Sequence, residues 1–464
     1  MKKKQLYIWH RWLSVLCLLP VMMWCFSGLM HPMMAHFFKV SPAQMFLKQQ
    51  PFEADLAMVS IKDLPLPKGN IQDIRFARIA NKPYYQIQVN DEWKYYDWHN
   101  GEELEHGDEV YARHLAQYFL GDSTSAISSI EIVEKYTAQY KIINRLLPVY
   151  KVAFDREDGI EVYVHTGSAR LGTLNDDMRK GFLWVFSMFH NWDFLGDDSN
   201  LKRVVVLLFS TLVFITGVMG LVIFFTTKRL SESNARMKPR RRHRKLAVAV
   251  SIVLLMFSFS GAYHALQKIE PYNLNGHGPS PLKVNLDDLV NEPLDAMLKV
   301  VAPFKQISLK ELQDELYYRF EPAQFGSEAI YTSVEGLELL DNGDFAYARE
   351  RAEAIAGQSF ELIEEPVAIS KFTRAYGFIN KRLPVVQIAF DTPDHLTCFI
   401  EPSSGIPGAI VRDKNRAEIV SFLFLHKYHF LDFLGKGLRD TIMSLAALSL
   451  VVIALSGLWI LIKK

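Results

Sequence analysis

Four stretches of this chain carry no charged residue and approach or exceed bilayer length: residues 13–30, 204–227, 246–263 and 441–462. A spanning helix needs about 20 apolar residues, at a rise of roughly 1.5 Å each, to cross a hydrocarbon core of about 30 Å. Backbone amides left unpaired in lipid are costly, so runs of this length and composition read as helices. Whatever else the 464 residues build must hang on four such helices. Pro20 sits inside the first run and is expected to kink it. That run has neither the short apolar core nor the A-x-A-like site of a cleaved signal peptide, and it recurs at 246–263, so it is expected to be retained.

Between the runs the composition changes. Although 49% of the chain is hydrophobic and 12% aromatic, 22% is charged, which suits a membrane protein with sizeable soluble parts. The length predicts about three domains. A net charge of +1 predicts neither an acidic partner nor nucleic acid. Cys17 and Cys25 lie in an apolar run and Cys398 stands alone, so no disulfide framework is expected. No C-x-x-C-H is present, so any haem would be held without that covalent attachment.

The positive charges set the orientation. Lys2, Lys3, Lys4 and Arg11 flank the first run. Residues 228–245 hold nine Lys and Arg against Glu232, and the chain closes on Lys463 and Lys464. By the positive-inside rule both termini and this loop are cytoplasmic, and the two long mixed segments lie outside. The expected organisation is a transmembrane helix over 12–32, an outer domain over 33–200 with an interface helix at 181–192, and a second transmembrane helix over 202–227. A basic cytoplasmic loop over 228–245, a third helix over 246–266, an outer domain over 267–437 with an interface helix at 418–431, and a fourth helix over 440–462 complete it. Within the first outer segment, hairpins are expected to turn at Asn90-Asp91 and at Asp158-Gly159.

The chain reads as two copies of one plan. The hexapeptide FSGLMH at 26–31 returns as FSGAYH at 259–264, an offset of 233 that also relates His10 to His243. NRLLPVYKVAFD at 144–155 matches NKRLPVVQIAFD at 380–391 at offset 236. HNWDFLG at 190–196 matches HFLDFLG at 429–435 at offset 239, and Thr216-Gly217 resembles Ser456-Gly457. The expected fold is therefore an α+β integral membrane protein. Its four transmembrane helices form a duplicated two-helix unit with pseudo-twofold symmetry, beneath two outer α+β domains.

Three histidine pairs survive the duplication: His10 with His243, His31 with His264, and His190 with His429. A twofold axis would set the members of each pair opposite one another, as the axial ligands of a six-coordinate haem must be. Histidines 21 residues apart stand roughly 31 Å apart along a helix and fall roughly 60° short of six full turns, so both face broadly one side. One site near each leaflet would make a relay across the membrane. Gly28 and Gly261, three residues before His31 and His264, would let a flat macrocycle approach the backbone, although small residues also serve helix packing. Bland alternatives stand beside each pair. His243 lies among arginines and His10 between Trp9 and Trp12, where a basic residue or an interfacial anchor would also fit. His190 and His429 could cap the interface helices, and His426 is an auxiliary candidate with Ser187 as its counterpart. His36, His99, His106, His114, His165, His277 and His395 lack clear partners and read as surface residues.

Taken in order, WHRWLSVL…FSGLMH, the HNWDFLG and HFLDFLG boxes, and the paired Thr-Gly and Ser-Gly resemble the PepSY-associated transmembrane helix family. The outer segments look like PepSY domains: YDWHNGE at 96–102 resembles the closing Asp-x-x-Thr-Gly-Glu hairpin of that module, with Asn100 where Thr is usual, and FIEPSSG at 399–405 is a looser version. The resemblance covers nearly the whole chain. It implies a bacterial inner-membrane protein, multi-pass, with two periplasmic PepSY-like domains. It includes iron-regulated proteins that look like ferric-siderophore reductases, which hold b-type haems between histidines and pass electrons outward.

Three functions follow for weighing. The first is a haem-binding electron-transfer protein with two b-type haems, fed by a cytoplasmic or quinol donor and reducing a ferric chelate or siderophore at the outer domains. An oxidoreductase of this kind needs no catalytic side chain beyond the ligands. The second is a non-redox PepSY protein that binds or regulates an envelope peptidase. The third, a transporter, finds little support in spans with almost no internal charge. No H-E-x-x-H, G-x-S-x-G or nucleotide-binding fingerprint is present, so a flavin or NAD(P)H module is expected to lie elsewhere.

Overall fold

The computed structural model describes residues 3–38, 40–48, 50–52, 59–196, 199–227, 237–269, 277–279, 282, 284, 289, 303–324, 327–335, 338–373, 376–377 and 380–462. Half of the basic loop expected at 228–245, residues 228–236, and the last two lysines fall outside them.

The first half opens on α1 (Lys3–Phe37) and continues into a meander of β1 (Ile71–Ile79), β2 (Lys82–Val89) and β3 (Glu92–Asp97). Helix α2 (Gly107–Leu120) precedes a second antiparallel sheet of β4 (Ile127–Val133), β5 (Val149–Phe154), β6 (Glu161–His165) and β7 (Arg170–Asn175). Helices α3 (Asp177–Phe186) and α4 (Asn200–Thr226) close the half. The second half begins with α5 (Lys238–Gln267) and a sheet of β8 (Phe304–Leu312), β9 (Glu315–Pro322), β10 (Ile330–Ser333) and β11 (Leu339–Leu340). Then come α6 (Gly343–Ala356) and a sheet of β12 (Val367–Ile369), β13 (Val385–Ala389), β14 (Thr397–Ile400) and β15 (Pro407–Val411). Helices α7 (Asp413–Ser421) and α8 (Lys436–Ile462) end it. Both expected hairpins are present, and the β2–β3 turn places Asn90 and Asp91 in the left-handed region that a two-residue hairpin loop requires.

Helices α1, α4, α5 and α8 have mean hydropathies of 2.0 to 2.6 over their apolar windows and are each long enough to span. Each packs against two others: α1 against α4 and α8, and α5 against the same pair, so α1 and α5 lie diagonally across a four-helix bundle. Apolar side chains such as Leu19, Phe225, Ile252 and Leu445 point outward with more than half their surface bare, while Ser27 and Ser260 are buried within. A bundle that exposes leucine and buries serine is built for lipid around it. The chain is therefore an α+β membrane protein. The helices overrun the expected boundaries. Charge-free runs mark only the hydrocarbon slab, whereas the backbone keeps its internal hydrogen bonds on into the polar interface. Helix α1 runs unbroken past Pro20 and Pro32.

The two sheet-bearing segments share a core. Phe52, Phe76 and Trp98 of the first half pack with Phe304 and Phe320 of the second, Phe52 lying flat on Trp98 at 5.3 Å between ring centres. The contacts between halves are reciprocal. Phe52 bridges Phe304 while Ile71 bridges Val284. The Asp73 carboxylate accepts from the Leu309 amide at 3.1 Å, and Gln306 takes both main-chain groups of Phe76, at 2.7 and 2.9 Å. Asp73 and Gln306 are 233 residues apart, as are Phe76 and Leu309. Arg145 reaches the Gly408 carbonyl and Lys381 the Gly172 carbonyl, again an exchange between positions 236 apart. Such exchange is what a twofold relation between the halves calls for.

Glu401, fully buried, ties the halves electrostatically through Arg170 of the first and Arg382 of the second. Burial alone would raise its carboxyl, but the two guanidinium groups prevail and hold it at about 2. Its ordinary value is 4.5, so its contribution to stability is complete above that pH and is lost as pH falls through about 2. Acid titration of the solubilised protein should show loss of stability over this window, shared by the intact chain and absent from Glu401→Gln. Replacing Gln306 by Leu leaves a buried amide and carbonyl of Phe76 without partners. It should lower stability by about 1–3 kcal/mol, read as a reduced thermal midpoint.

Candidate functional site

At one end of the bundle, each half brings a short helix back against its own spanning helix. Helix α3 starts under the Asp176 carboxylate, which accepts from the Arg179 amide at 2.7 Å. It widens into a π turn over Ser187–Asn191, and Trp192 ends it in a left-handed conformation. Helix α7 widens in the same way over Phe422–His426, and Tyr428 is the left-handed residue after it. Such π turns re-aim side chains and recur at functional sites. Each is clasped by stacked aromatics. Trp24 of α1 lies on Trp192 at 5.0 Å and donates its indole N–H to the His190 carbonyl at 3.1 Å. Phe257 of α5 lies on Tyr428 at 5.4 Å.

This geometry changes one expected pair. Phe186, His190 and Trp192 correspond to Phe422, His426 and Tyr428, all at offset 236. His429 comes three residues later, in the turn before α8. There its Nδ1 is 2.8 Å from Asp432 and 3.2 Å from Arg439. The Asp-Phe-Leu-Gly boxes do match at 239, but the extra three residues lie between Tyr428 and Asp432, so that register does not extend back to the histidine. His426, not His429, is the partner of His190. The repeated pattern Phe-x-x-x-His-x-aromatic, at the offset already seen for residues 144–155, was the signal for it.

Four histidines gather here in two files. His31 is 6.0 Å from the Phe186 ring, which stacks on His190 at 4.4 Å. His264 stacks on Phe422 at 4.9 Å, and Phe422 on His426 at 5.0 Å. The files meet where His190 and His426 stand 6.3 Å apart, ring planes nearly perpendicular. At the other end His10 and His243 lie within electrostatic reach of each other.

The hydrogen bonds orient three of these rings. His190 Nδ1 lies 3.1 Å from the Ser27 hydroxyl, which also reaches the Met23 and Trp24 carbonyls at 2.8 and 3.1 Å. At the opposite end the Ser456 hydroxyl lies 2.8 Å both from His243 Nδ1 and from the Ile453 carbonyl. His264 Nδ1 faces the Glu418 carboxylate. In all three rings it is Nδ1 that an oxygen holds, and Nε2 is the nitrogen left over. That is the arrangement of a metal-bound imidazole, whose other nitrogen is held by an outer partner. The Nδ1 atoms of His426 and His10 are buried without a hydrogen-bond partner among the described residues.

Charge agrees with this role. Burial, then the nearby Lys427 and the other histidines, pushes the His190 imidazole down to about 3, and burial with His190 and Lys427 holds His426 well below the usual imidazole range. Both are neutral at physiological pH, as ligands must be. Among the described residues no three His, Cys, Asp or Glu side chains converge as a bare-ion cage would. The glycines divide. A Cβ on Gly28 would meet nothing within 4 Å and one on Gly261 only Ser210 Oγ at 3.7 Å, whereas on Gly217 it would press at 3.1 Å on Leu254 and Leu255. Gly220 and Gly457 each stand 3.4 Å, from a Cβ position, to the rings of His10 and His243. The residues therefore fit a flat ligand held between imidazoles: neutral rings at His190 and His426, Nδ1 atoms held by oxygens at His190, His243 and His264, and open space at Gly28 beside His31. Of the histidines read as surface residues, His36 pairs with Asp440 at 2.9 Å and His165 lies at the junction of the halves near Arg382, Arg75 and Arg170.

A model of the family described as the PepSY-associated TM region matches residues 7–281. No curated protein matches the chain.

Gly28→Ala should leave thermal stability unchanged or raise it by up to about 1 kcal/mol, alanine being the better helix former. Gly217→Ala, forced against two leucines of α5, should lower it. Paired melting curves in one detergent decide both.

Proposed function

The chain belongs to the PepSY-associated TM region family, and from that premise we propose that it is a haem-binding electron-transfer protein that reduces a ferric chelate outside the membrane. The observation that carries this reading is the shared orientation of His190, His243 and His264. Histidines at both ends of the bundle have Nδ1 held by a serine or a carboxylate and leave Nε2 over. Ligation gives a reason for that shared orientation.

Six imidazoles suffice for two b-type haems, each with two axial ligands. His31, His190, His264 and His426 would supply the outer site, His10 and His243 the inner. A haem supplies a one-electron couple when bound. The protein's part is to present neutral nitrogen ligands, orient them through Ser27, Ser456 and Glu418, and exclude water with Phe186, Phe422 and the Trp24–Trp192 and Phe257–Tyr428 stacks. The basic residues at one end of the bundle, Lys3, Lys4, Arg240, Arg241, Arg242 and Lys245, mark the cytoplasmic side of a bacterial inner membrane. The donor, cytoplasmic or quinol, acts there, and the two sheet-bearing segments stand in the periplasm. On that outer side Lys268, one turn beyond His264, has Glu418 near it and then Lys202, Arg145 and Arg203, with Asp193 paired to Lys202. The basic groups outnumber the acids there, and a surface of that charge favours a ferric chelate with carboxylate or catecholate oxygens. Iron reduced there would leave its oxygen ligands more readily than ferric iron.

A second reading, a non-redox protein that engages an envelope peptidase, draws on the edge strands. Ile132 on β4 and Val367 on β12 are about half exposed at the open edges of their sheets, where another strand could add.

A reduced-minus-oxidised spectrum of the solubilised protein separates the two. The redox reading predicts a Soret shift and low-spin α-band, and a colourless protein after expression with ample haem overturns it. His190→Ala and His426→Ala should each remove a low-spin component, whereas His429→Ala should leave the spectrum intact.

A further inference from the structure

The two halves are not electrically alike at the outer cluster. In the second half, His264 Nδ1 is hydrogen-bonded to the carboxylate of Glu418 on α7, which is largely buried. The equivalent of Glu418 in the first half, 236 positions earlier, is Phe182. Phe182 is buried and packs on Phe38 at 5.1 Å. His31, the equivalent of His264, lies against the Phe186 ring, with Lys427, Asp440 and Lys436 within electrostatic reach. One outer histidine thus has a carboxylate hydrogen-bonded to its ring, while its counterpart has an aromatic ring beside it and charges of both signs at longer range.

We propose that Glu418 is a positioning residue that makes the outer haem held by His264 the lower-potential centre of the protein's pair. This rests on the haem reading above. A carboxylate accepting from Nδ1–H draws the proton toward itself and makes Nε2 a stronger donor. Stronger donation and a nearby negative charge both favour ferric over ferrous iron, so the potential falls. The neutral serines behind His190 and His243 do neither to the same degree. The stack of His264, Phe422 and His426 leaves the ring little freedom to turn away from Glu418. A lower potential at this position gives the outer centre more driving force toward ferric chelates, which oxygen ligands make hard to reduce.

The test is a potentiometric titration of full-length solubilised protein, followed optically. Glu418→Gln keeps a hydrogen-bond acceptor of the same length and removes the charge. The expected result is two haem components, one of which moves upward by about tenfold in the ferric-to-ferrous ratio, or about 59 mV, while the other stays in place. Glu418→Asp, which keeps the charge, should fall between the two, and it serves as the measured variant if the Gln form loses haem. Unchanged midpoints in both variants, or equal movement of both components, overturns the assignment while leaving the haem reading standing. Absence of haem from the unaltered protein overturns both.

Discussion

Two serines at opposite ends of the bundle each hold a histidine by its Nδ1 while their hydroxyls also reach their own helix backbone. Ser27 reaches the Met23 and Trp24 carbonyls and His190, and Ser456 reaches the Ile453 carbonyl and His243. That one contact fixes how two rings are turned, and the rest of the cluster depends on it. The π turns carry His190 and His426 inward, and the aromatic stacks keep the turns on the helices. Ser27 itself is fully buried.

Much of this was readable in the chain before any coordinates. Absence of charge located the four spans, because a charge within lipid is costly whatever the fold. Alternation and turn residues located the hairpins at Asn90-Asp91 and Asp158-Gly159. The repeated hexapeptide singled out His31 and His264, which do stand at one end of the bundle with the π turns against them. The misplaced residue was His429. A box of four identical side chains is a strong local match, but it fixes register only as far as the next insertion, and three added residues separate it from the histidine that matters. Glu418 and Ser27 were not legible either. An exposed-looking acid on a short amphipathic helix, and one serine in an apolar run, acquire a role only when the π turn folds back, a tertiary event with no local pattern. Helix ends were wrong by up to a few turns, since hydrophobicity ends at the edge of lipid and hydrogen bonding does not.

The sheet-bearing segments hold the histidine cluster in place. Helices α3 and α7 continue from β7 and β15, so the position of each π turn depends on a sheet that belongs to a soluble core. Glu401 between Arg170 and Arg382, and the crossed contacts of Asp73 and Gln306, keep those sheets in one relation to each other. Asymmetry enters within that frame, at single residues such as Glu418 facing Phe182, without disturbing the shared scaffold.

The shared aromatic core also has a consequence for biosynthesis. Phe52, Phe76 and Trp98 are synthesised long before Phe304 and Phe320 exist. Between those events come the two spanning helices α4 and α5. The first sheet-bearing segment therefore waits with an incomplete interior. Its apolar face stays open for the time taken to synthesise some two hundred residues. A nascent protein of this design needs a holding partner, or a membrane surface to rest against, until its second half arrives.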